Sequence, residues 1–237
     1  MPFLLALDSA TETMALALVT PGQTRVFEAA GGAQASARLL PEVKALLAAA
    51  GVEMAALDAI AFGQGPGAFT GLRTACAVAQ GLALGADLPV LPVDTLLGVA
   101  EAARGHDTRV LVVMDARMGQ VYAAAYAWQG DQWQTLQAPQ LCQPTDVQVP
   151  TAWTSQAHVL AGNAWAVPAL QTSLQALMTD QAVVRPSWPE ASALLRLGAA
   201  AWQRGEALPA DQALPVYVRD QVALTTAERM ALKASSP

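Results

Sequence analysis

Short apolar runs that end at polar turns begin the chain, and they predict strands. Residues 3–7 are apolar and end at Asp8, and residues 14–19 form a second apolar run. After a Pro-Gly turn at 21–22, residues 23–28 alternate enough to form a third strand. Three strands joined by short polar turns predict a β-meander.

Helical periodicity follows the meander. Apolar residues recur at helical spacing from Leu39 onward and predict a helix over 36–50. Ser36 is the expected N-cap and Gly51 the expected C-terminal stop. Pro41 lies late for a first-turn proline, so we expect a kink or a shifted start.

The next segments complete a mixed unit. The sequence predicts a buried strand at 59–62, a helix at 70–84 after a glycine-rich loop, and a strand at 90–93. The first part of the chain therefore has the predicted order β-β-β-α-β-α-β.

The opening pattern recurs 107 residues later. Residues 110–114 are apolar and end at Asp115, as the first run ends at Asp8. Further strands are predicted at 120–128 and 132–136. An internal duplication of this kind predicts two lobes related by pseudo-symmetry.

The second copy is less regular after its third strand. Residues 137–156 are rich in Gln, Thr and Pro and predict a loop, residues 158–161 predict a strand, and residues 189–203 a helix. The expected division is a first lobe of 1–104 plus about 189–222, a smaller second lobe of 105–188, and a frayed tail of 223–237.

Composition excludes several classes of protein. Of the 237 residues 54% are hydrophobic and 14% charged, so the chain is not disordered. The most apolar stretch, 74–86, is shorter than the roughly 18 residues that a membrane span needs. The start of the chain lacks the basic residues of a signal peptide, and the two cysteines do not resemble a disulfide framework. We therefore expect a reduced cytoplasmic protein that has no membrane span.

The charge balance argues against autonomous binding of nucleic acid. The net charge is −6, and the 13 basic residues are scattered along the chain. A nucleic-acid binder normally presents a basic stripe to the phosphates. If the chain works on RNA, we expect another component to hold that RNA.

Two turns carry candidate phosphate-binding residues. Asp8, Ser9 and Thr11 follow the first strand, and Asp115 ends the corresponding strand of the second copy. In two-lobed ATPases such turns hold phosphate, and the aspartate orders a hydrated metal. A tight hairpin whose side chains satisfy local backbone groups explains the same residues. The sequence leaves both interpretations open.

A glycine-rich loop precedes the helix predicted at 70–84. Gly65, Gly67 and Gly71 permit close approach of the backbone to a ligand or to another segment, and Arg73 lies in the first helical turn. No Gly-Lys-Ser/Thr sequence follows, so this is not a Walker loop. Passage of the backbone through a narrow gap is the more convincing explanation.

The same helix carries small residues in two stripes. Gly71, Ala75 and Ala79 form one, and the other consists of Ala77, Gly81 and Gly85. We expect one stripe to face the helix's own sheet. The other indicates either simple packing or an interface, with the helix at 36–50 as its companion.

Catalytic constellations are scarce. The two histidines, His106 and His158, are far apart, and the sequence contains no Cys-x-x-Cys pair and no Gly-x-Ser-x-Gly elbow. The sequence therefore predicts no catalytic residue, no metal ligand and no cofactor.

Five segments together resemble one family over nearly the whole chain. They are DSATE at 8–12, RLLP at 38–41, GPGAFTGLR at 65–73, DARMGQVY at 115–122 and PVYVR at 215–219. The chain resembles the bacterial TsaB (YeaZ) family, a non-catalytic paralogue of the enzyme TsaD. The resemblance implies an α/β fold of two actin-like (ribonuclease H-like) lobes.

The resemblance also implies a function. A chain of this family is expected to be a scaffold partner of TsaD, with TsaE, in threonylcarbamoylation of the adenosine beside the anticodon, in tRNAs that read codons beginning with A. Contact with tRNA is expected only through the complex. First-lobe helices would contact TsaD, or a second copy of the chain when TsaD is absent. Leu39, Leu46, Ala75 and Ala79 are the expected interface residues.

Several positions differ from the related patterns. TsaD-type enzymes carry a His-x-x-x-His metal motif after the strand that corresponds to 90–93, where this chain has Thr95 and Val99. Neither residue replaces an imidazole ligand. Ala68 replaces a usual Ser in the glycine loop, and Ala35 stands where a His often precedes Ser36. These changes argue against direct ligand binding by the loops.

Two other classes of function stay open at this point. An autonomous ATPase or small-molecule kinase of the same fold would use Asp8 and Asp115, although 162–164 is only a faint version of the expected adenosine-binding signature. A metallopeptidase is disfavoured because the histidine pair is absent.

Overall fold

Two five-stranded mixed sheets form the framework of the protein. The computed structural model describes residues 2–219. The strands are β1 (Leu4–Asp8), β2 (Thr13–Thr20), β3 (Gln23–Ala30), β4 (Ala59–Gly65), β5 (Val90–Asp94), β6 (Arg109–Asp115), β7 (Val121–Gln129), β8 (Gln132–Cys142), β9 (His158–Ala161) and β10 (Ala182–Arg185).

The two sheets repeat one topology. The first sheet has the order β3-β2-β1-β4-β5 and the second has the corresponding order β8-β7-β6-β9-β10. In each, the central strand pairs antiparallel with the next strand and parallel with the fourth. Leu4 to Asp8 in β1 match 111–115 in β6 at the offset read from the sequence. The predicted duplication is confirmed.

Five helices of two turns or more accompany the sheets in the described residues. They are α1 (Ala35–Ala50), α2 (Phe69–Ala86), α3 (Thr95–Ala103), α4 (Pro168–Leu174) and α5 (Ala191–Gln203). Gly51 ends α1 in the left-handed conformation, with φ of 67°, as predicted. Ser36 as N-cap is wrong: the helix starts one residue earlier and continues from a 3-10 turn at Gly32–Gln34. Pro41 lies inside α1.

The segment at 137–156 is not the continuous loop that its composition predicts. β8 extends through it to Cys142, paired with β7 along its length, and short 3-10 turns follow. β8 is an edge strand, so its main chain pairs with one neighbour and one of its faces lies in water. Its Gln and Thr side chains can therefore be exposed without cost to the sheet. α3, α4 and β10 have no counterpart among the elements predicted from the sequence.

Two helices each cover the sheet formed by the other half of the chain. On the first sheet, α1 and α2 cover one face, and α5 covers the opposite face with Leu194 and Leu195. α3 follows the last strand of the first sheet but packs on the second, where Leu96 and Val99 contact its apolar side chains. α3 and α5 also touch each other, so the pair links the sheets.

The lobe boundaries near 104 and 188 stay a prediction. The tail at 223–237 and the last residues of the segment at 189–222 lie outside the described residues. Within residues 2–219, no helix combines the length and the apolar character that crossing a bilayer requires.

Candidate functional site

The turns that follow β1 and β6 meet at a cleft between the two sheets. The cavity there measures about 150 Å³. Its walls come from the turn after β1, the start of the glycine loop, and the turn after β6. This arrangement brings together the two candidate phosphate turns, although they lie 107 residues apart in the sequence.

Asp8 does not face the open cleft. Its side chain is 1% exposed, and its carboxylate accepts hydrogen bonds from the Ala10 N–H at 2.6 Å and the Thr95 hydroxyl at 3.2 Å. Burial raises the pKa of Asp8 to about 6. A carboxylate enclosed in this way is poorly placed to order a hydrated metal.

The hydroxyl groups of the same turn also form hydrogen bonds within the protein. The Ser9 hydroxyl donates to the Gly71 carbonyl at 2.8 Å, and the Thr11 and Thr13 hydroxyls are hydrogen-bonded at 2.9 Å. The Thr13 N–H also donates to the Thr11 hydroxyl at 3.2 Å, a local contact of the kind expected in a tight hairpin, whereas the partner of Ser9 lies 62 residues away.

The glycine loop packs directly on that turn. A Cβ atom at Gly71 would overlap the carbonyl oxygen of Ser9, and one at Gly67 would overlap that of Ala10. The Ala68 N–H donates to the Ala10 carbonyl at 2.7 Å. Close approach of two backbones explains these glycines, as the narrow-gap interpretation predicts. Gly65, with φ of 112°, contacts the C-terminal segment instead.

Arg73 points away from the cleft. Its guanidinium carbon lies 4.0 Å from the ring centre of Phe69, and its Nε donates to the Tyr217 hydroxyl at 2.9 Å. Further along the same segment, Arg219 donates to the Ala116 carbonyl at 3.0 Å. The segment at 217–219 therefore contacts both the start of α2, through Tyr217, and the turn after β6, through Arg219.

Asp115 is held by the residues around it. Its Oδ1 accepts from the Arg117 N–H at 2.8 Å, and its Oδ2 lies 3.3 Å from the Arg117 guanidinium. Its own N–H donates to Asn163 Oδ1 at 2.8 Å. Asn163, which lies just after β9, thus holds the turn after β6 in place through this hydrogen bond.

Glu12 joins the two halves of the cleft. Its carboxylate accepts from Asn163 Nδ2 at 3.0 Å and from Trp188 Nε1 at 2.6 Å. Burial opposes its ionisation, but these hydrogen bonds and the nearby Arg117 outweigh burial, so the pKa of Glu12 lies below its ordinary value. The sequence analysis assigned Glu12 no such role, because its partners are 151 and 176 residues away.

A second contact joins the halves deeper in the protein. The Tyr126 hydroxyl donates to Asp94 Oδ2 at 2.7 Å, while Asp94 Oδ1 caps α3 by accepting from the Leu96 N–H. Burial raises the pKa of Asp94, and burial together with that carboxylate raises the pKa of Tyr126 well above its ordinary value. The Tyr126 hydroxyl and the Asp94 carboxylate thus link the second sheet to the first.

Comparison with known proteins places this geometry in a family. The profile described as "TsaD: tRNA N6-adenosine threonylcarbamoyltransferase" matches residues 17–227. The tRNA threonylcarbamoyladenosine biosynthesis protein TsaB of Escherichia coli (strain K12) is 34% identical over 93% of this chain and 96% of its own length. The protein of that description from Haemophilus influenzae is 32% identical over 92% of this chain and 94% of its own length. A solved structure, YeaZ from Pseudomonas aeruginosa, superposes with a TM-score of 0.82 at 39% identity, covering 92% of this chain and all of that one.

The chain belongs to the TsaB (YeaZ) family. Its fold is accordingly the α/β architecture of actin-like (ribonuclease H-like) lobes that the duplicated sequence predicts.

Thr95 and Val99, which the resemblance compares with a metal-binding pair, are core residues in this TsaB-family chain. Thr95 is 1% exposed and its hydroxyl is engaged by the Gly65 N–H and by Asp8, and Val99 is fully buried. In residues 2–219, no three His, Cys, Asp or Glu side chains are grouped closely enough to hold a metal ion.

The four expected interface residues lie in the core of the first sheet rather than on the surface. Leu39, Ala75 and Ala79 are fully buried, and Leu46 is 9% exposed. All four pack with the apolar side chains of β1, β2 and β4. The stripe Gly71-Ala75-Ala79 therefore faces its own sheet, which corrects the expectation that Ala75 and Ala79 are presented to a partner.

Proposed function

We propose that the chain is a non-catalytic scaffold in the biosynthesis of threonylcarbamoyladenosine in tRNA and acts by binding a TsaD-type partner. Membership of the TsaB family supports the pathway. The small volume of the cleft is the observation that carries the non-catalytic role. Its cavity of about 150 Å³ is smaller than the roughly 300–1,000 Å³ of typical ligand pockets.

The chemistry of the cleft supports the same conclusion. A nucleotide's phosphates need free backbone N–H groups and a metal held by accessible carboxylates. Asp8 is buried, Asp115 is engaged by Arg117, and Glu12 contributes a negative charge at the entrance. These contacts argue against an autonomous ATPase or kinase.

The outer face of α1 and α2 is the surface we propose for the partner. In α2, Ala77, Gly81 and Gly85 are exposed, and a Cβ atom at Gly81 or Gly85 would contact nothing within 4 Å in the described residues. Glycine inside a helix costs about 0.5–1 kcal/mol relative to alanine. Because internal packing does not require these glycines, close approach of a partner helix is the better reason for them.

Apolar side chains surround this stripe. A groove of about 820 Å³ lies between the C-terminal ends of α1 and α2 and includes Leu47, Leu82 and Met54 in its lining. Leu84, next to Gly85 in α2, is 61% exposed. We propose that TsaD binds here, that a second copy of the chain binds here when TsaD is absent, and that TsaE and tRNA join through the complex. The net charge of −6 supports weak affinity of the isolated chain for tRNA. We place this activity in the cytoplasm and retain the lobe division proposed from the sequence.

Reconstituted threonylcarbamoylation of tRNA tests the function. The assay contains TsaD, TsaE and a source of threonylcarbamoyl-adenylate, with and without this chain. We expect modification only when the chain is present. Equal modification without it would refute the scaffold role, and ATP turnover by the chain alone would favour the ATPase alternative.

A pair of substitutions at one position tests the surface. Gly81→Leu fills the space that the partner helix needs, whereas Gly81→Ala adds only one methyl group. We expect neither substitution to lower the melting temperature of the chain, but Gly81→Leu to weaken TsaD binding far more than Gly81→Ala does, as measured by calorimetric titration. Unchanged binding by a folded Gly81→Leu variant would place the interface elsewhere.

A further inference from the structure

A second pocket lies at the opposite end of β6 from the cleft. Its cavity of about 410 Å³ is bordered by α3, α5 and the hairpin of β7 and β8. Asp115 pairs with the start of β7, whereas Arg109, at the other end of β6, pairs beside Trp128 at the end of β7. The pocket is therefore separate from the cleft and from the outer face of α1 and α2.

Two tryptophans form an aromatic corner in this pocket. The rings of Trp128 and Trp133 lie 5.4 Å apart and nearly perpendicular, at 74°. The guanidinium carbon of Arg104 lies 4.1 Å from the ring centre of Trp128 and 5.8 Å from that of Trp133. Flat aromatic and guanidinium surfaces are those on which nucleobases stack.

The buried carboxylate of Glu101 contacts both arginines that lie next to the two tryptophans. Glu101 is 7% exposed in its side chain and accepts from Arg196 Nε at 2.6 Å and from Trp133 Nε1 at 2.9 Å. Arg104 Nε lies 3.6 Å from the same carboxylate and is buried without a hydrogen-bond partner in the described residues. Two arginines thus share one negative charge.

The remaining charged groups at the rim nearly balance. Arg204 is paired with Glu206 through two hydrogen bonds of 2.6 and 2.8 Å, and Asp131 lies exposed at the tip of the hairpin. The guanidinium donors left for a ligand are therefore those of Arg104 and Arg196. A guanidinium carries five donors in a planar arrangement that matches phosphate oxygens.

We propose that this pocket binds a nucleotide, with the base against Trp128 and Trp133 and the phosphate on Arg104 and Arg196. Leu97, Leu197 and Ala200 supply the apolar floor on which a flat ring packs. The cavity is within the roughly 300–1,000 Å³ range of ligand pockets. The nucleotide comes either from a free nucleoside monophosphate or from an RNA strand, since both present the same base and phosphate.

Titration of the full chain with AMP, followed by NMR of the tryptophan indole N–H groups, tests the proposal. We expect saturable shifts at Trp128 and Trp133 and none at the buried Trp153 and Trp165. Adenosine and inorganic phosphate, each supplying half of the ligand, bind more weakly. A 5′-phosphorylated oligoadenylate that binds more tightly than AMP identifies RNA as the source, and equal affinity identifies the free nucleotide.

Variants separate the two halves of the site. Arg196→Ala weakens AMP and phosphate binding by about tenfold, because it removes a charge-assisted hydrogen bond. Trp128→Leu weakens AMP and adenosine but leaves phosphate unchanged. Arg25→Ala, at an exposed arginine of β3, is the matched control and leaves all three unchanged.

Three outcomes overturn the proposal. One is the absence of any shift at concentrations up to about 10 mM AMP, a limit that corresponds to negligible affinity. Another is AMP binding that Arg117→Ala in the cleft abolishes while Arg196→Ala does not. The third is an acidic aromatic peptide that shifts Trp128 and Trp133 when AMP does not, which assigns the pocket to a protein partner.

Discussion

Asp8 is an ionisable side chain that the fold holds almost entirely out of water. The Ala10 N–H and the Thr95 hydroxyl partly stabilise its charge, but burial dominates and raises its pKa from 3.8 to about 6. An acid whose pKa is raised by folding binds its proton more tightly in the folded state. Ionisation of Asp8 therefore lowers the free energy of unfolding as pH rises from about 4 to about 6.

Asp8→Asn removes this penalty because it replaces the ionisable group with a neutral one. The difference between 3.8 and about 6 corresponds to about 3 kcal/mol. We expect the variant to gain stability relative to the wild-type chain as pH rises from 4 to 7, measured by urea unfolding. Asp180→Asn, at an exposed aspartate, is the control. A difference that does not change with pH would contradict the burial of an ionised Asp8.

The pKa of Glu12 is shifted in the opposite direction from that of Asp8, so ionisation of Glu12 stabilises the fold. Its pKa lies below the ordinary 4.5, so the stability it contributes is present above that pH and is lost as pH falls. We expect Glu12→Gln to lower the free energy of unfolding by about 1 kcal/mol at neutral pH, since water screens this exposed carboxylate. The loss shrinks below pH 4.5. Glu53→Gln, at an exposed glutamate outside the cleft, should show neither effect. An equal loss there would refute the stabilising role of the hydrogen bonds from Asn163 and Trp188 to Glu12.

The two turns that line the cleft were predictable from the sequence, but the contacts between them were not. The duplicated pattern identified Asp8 and Asp115, because each ends an apolar strand of its own copy. Glu12, Asn163 and Trp188 meet only after both sheets have formed. Local patterns carry no signal for contacts of that sequence separation. The four interface residues were misplaced for a related reason, since a helix with small residues on two faces does not indicate which face its sheet covers.

At the scale of the element, α2 carries glycines with opposite roles. Gly71 lies against the Ser9 carbonyl, whereas the space beside Gly81 is open. We expect Gly71→Ala to destabilise the fold by about 3 kcal/mol, because a backbone must move, and Gly81→Ala to stabilise it by about 0.5–1 kcal/mol. Thermal unfolding of the two variants measures both. The same sign for both would show that helix propensity, not packing, governs this helix.

Helices with one apolar face and strands that are apolar throughout were predicted well, whereas α3 and the second half of β8 were not. α1 and α2 each have one face on a sheet, and the predicted ranges end within two residues of the observed ones. α3 has only nine residues, and seven of them are buried, so its sequence resembles an apolar connection rather than a surface helix. β8 lies at an edge and carries polar side chains, which resemble those of a loop.

At the scale of the whole molecule, α3 packs on the second sheet and α5 on the first, an exchange of helices that makes the core of each sheet depend on the other half of the chain. The inner face of the first sheet, which includes Leu4 and Ala6, is covered by Leu194 and Leu195 of α5. Neither sheet has a complete core without the other half of the chain.

We expect the full chain to unfold in one calorimetric transition, with equal calorimetric and van't Hoff enthalpies, although it contains two sheets. A fragment of residues 1–104 should lack cooperative unfolding, because it retains the first sheet but loses α5. Two separate transitions in the full chain, or a cooperatively folded fragment, would show that the lobes are independent.

The same exchange sets a delay during synthesis. All five strands of the first sheet have been synthesised once Asp94 is added, but α5 ends only at Gln203, and synthesis of the residues between them takes roughly 5–20 s. Throughout that interval the nascent chain presents a bare sheet face of leucine and alanine side chains. Transiently exposed apolar surface promotes aggregation, so we expect the first half of this chain to need shelter from a chaperone until α5 has been synthesised.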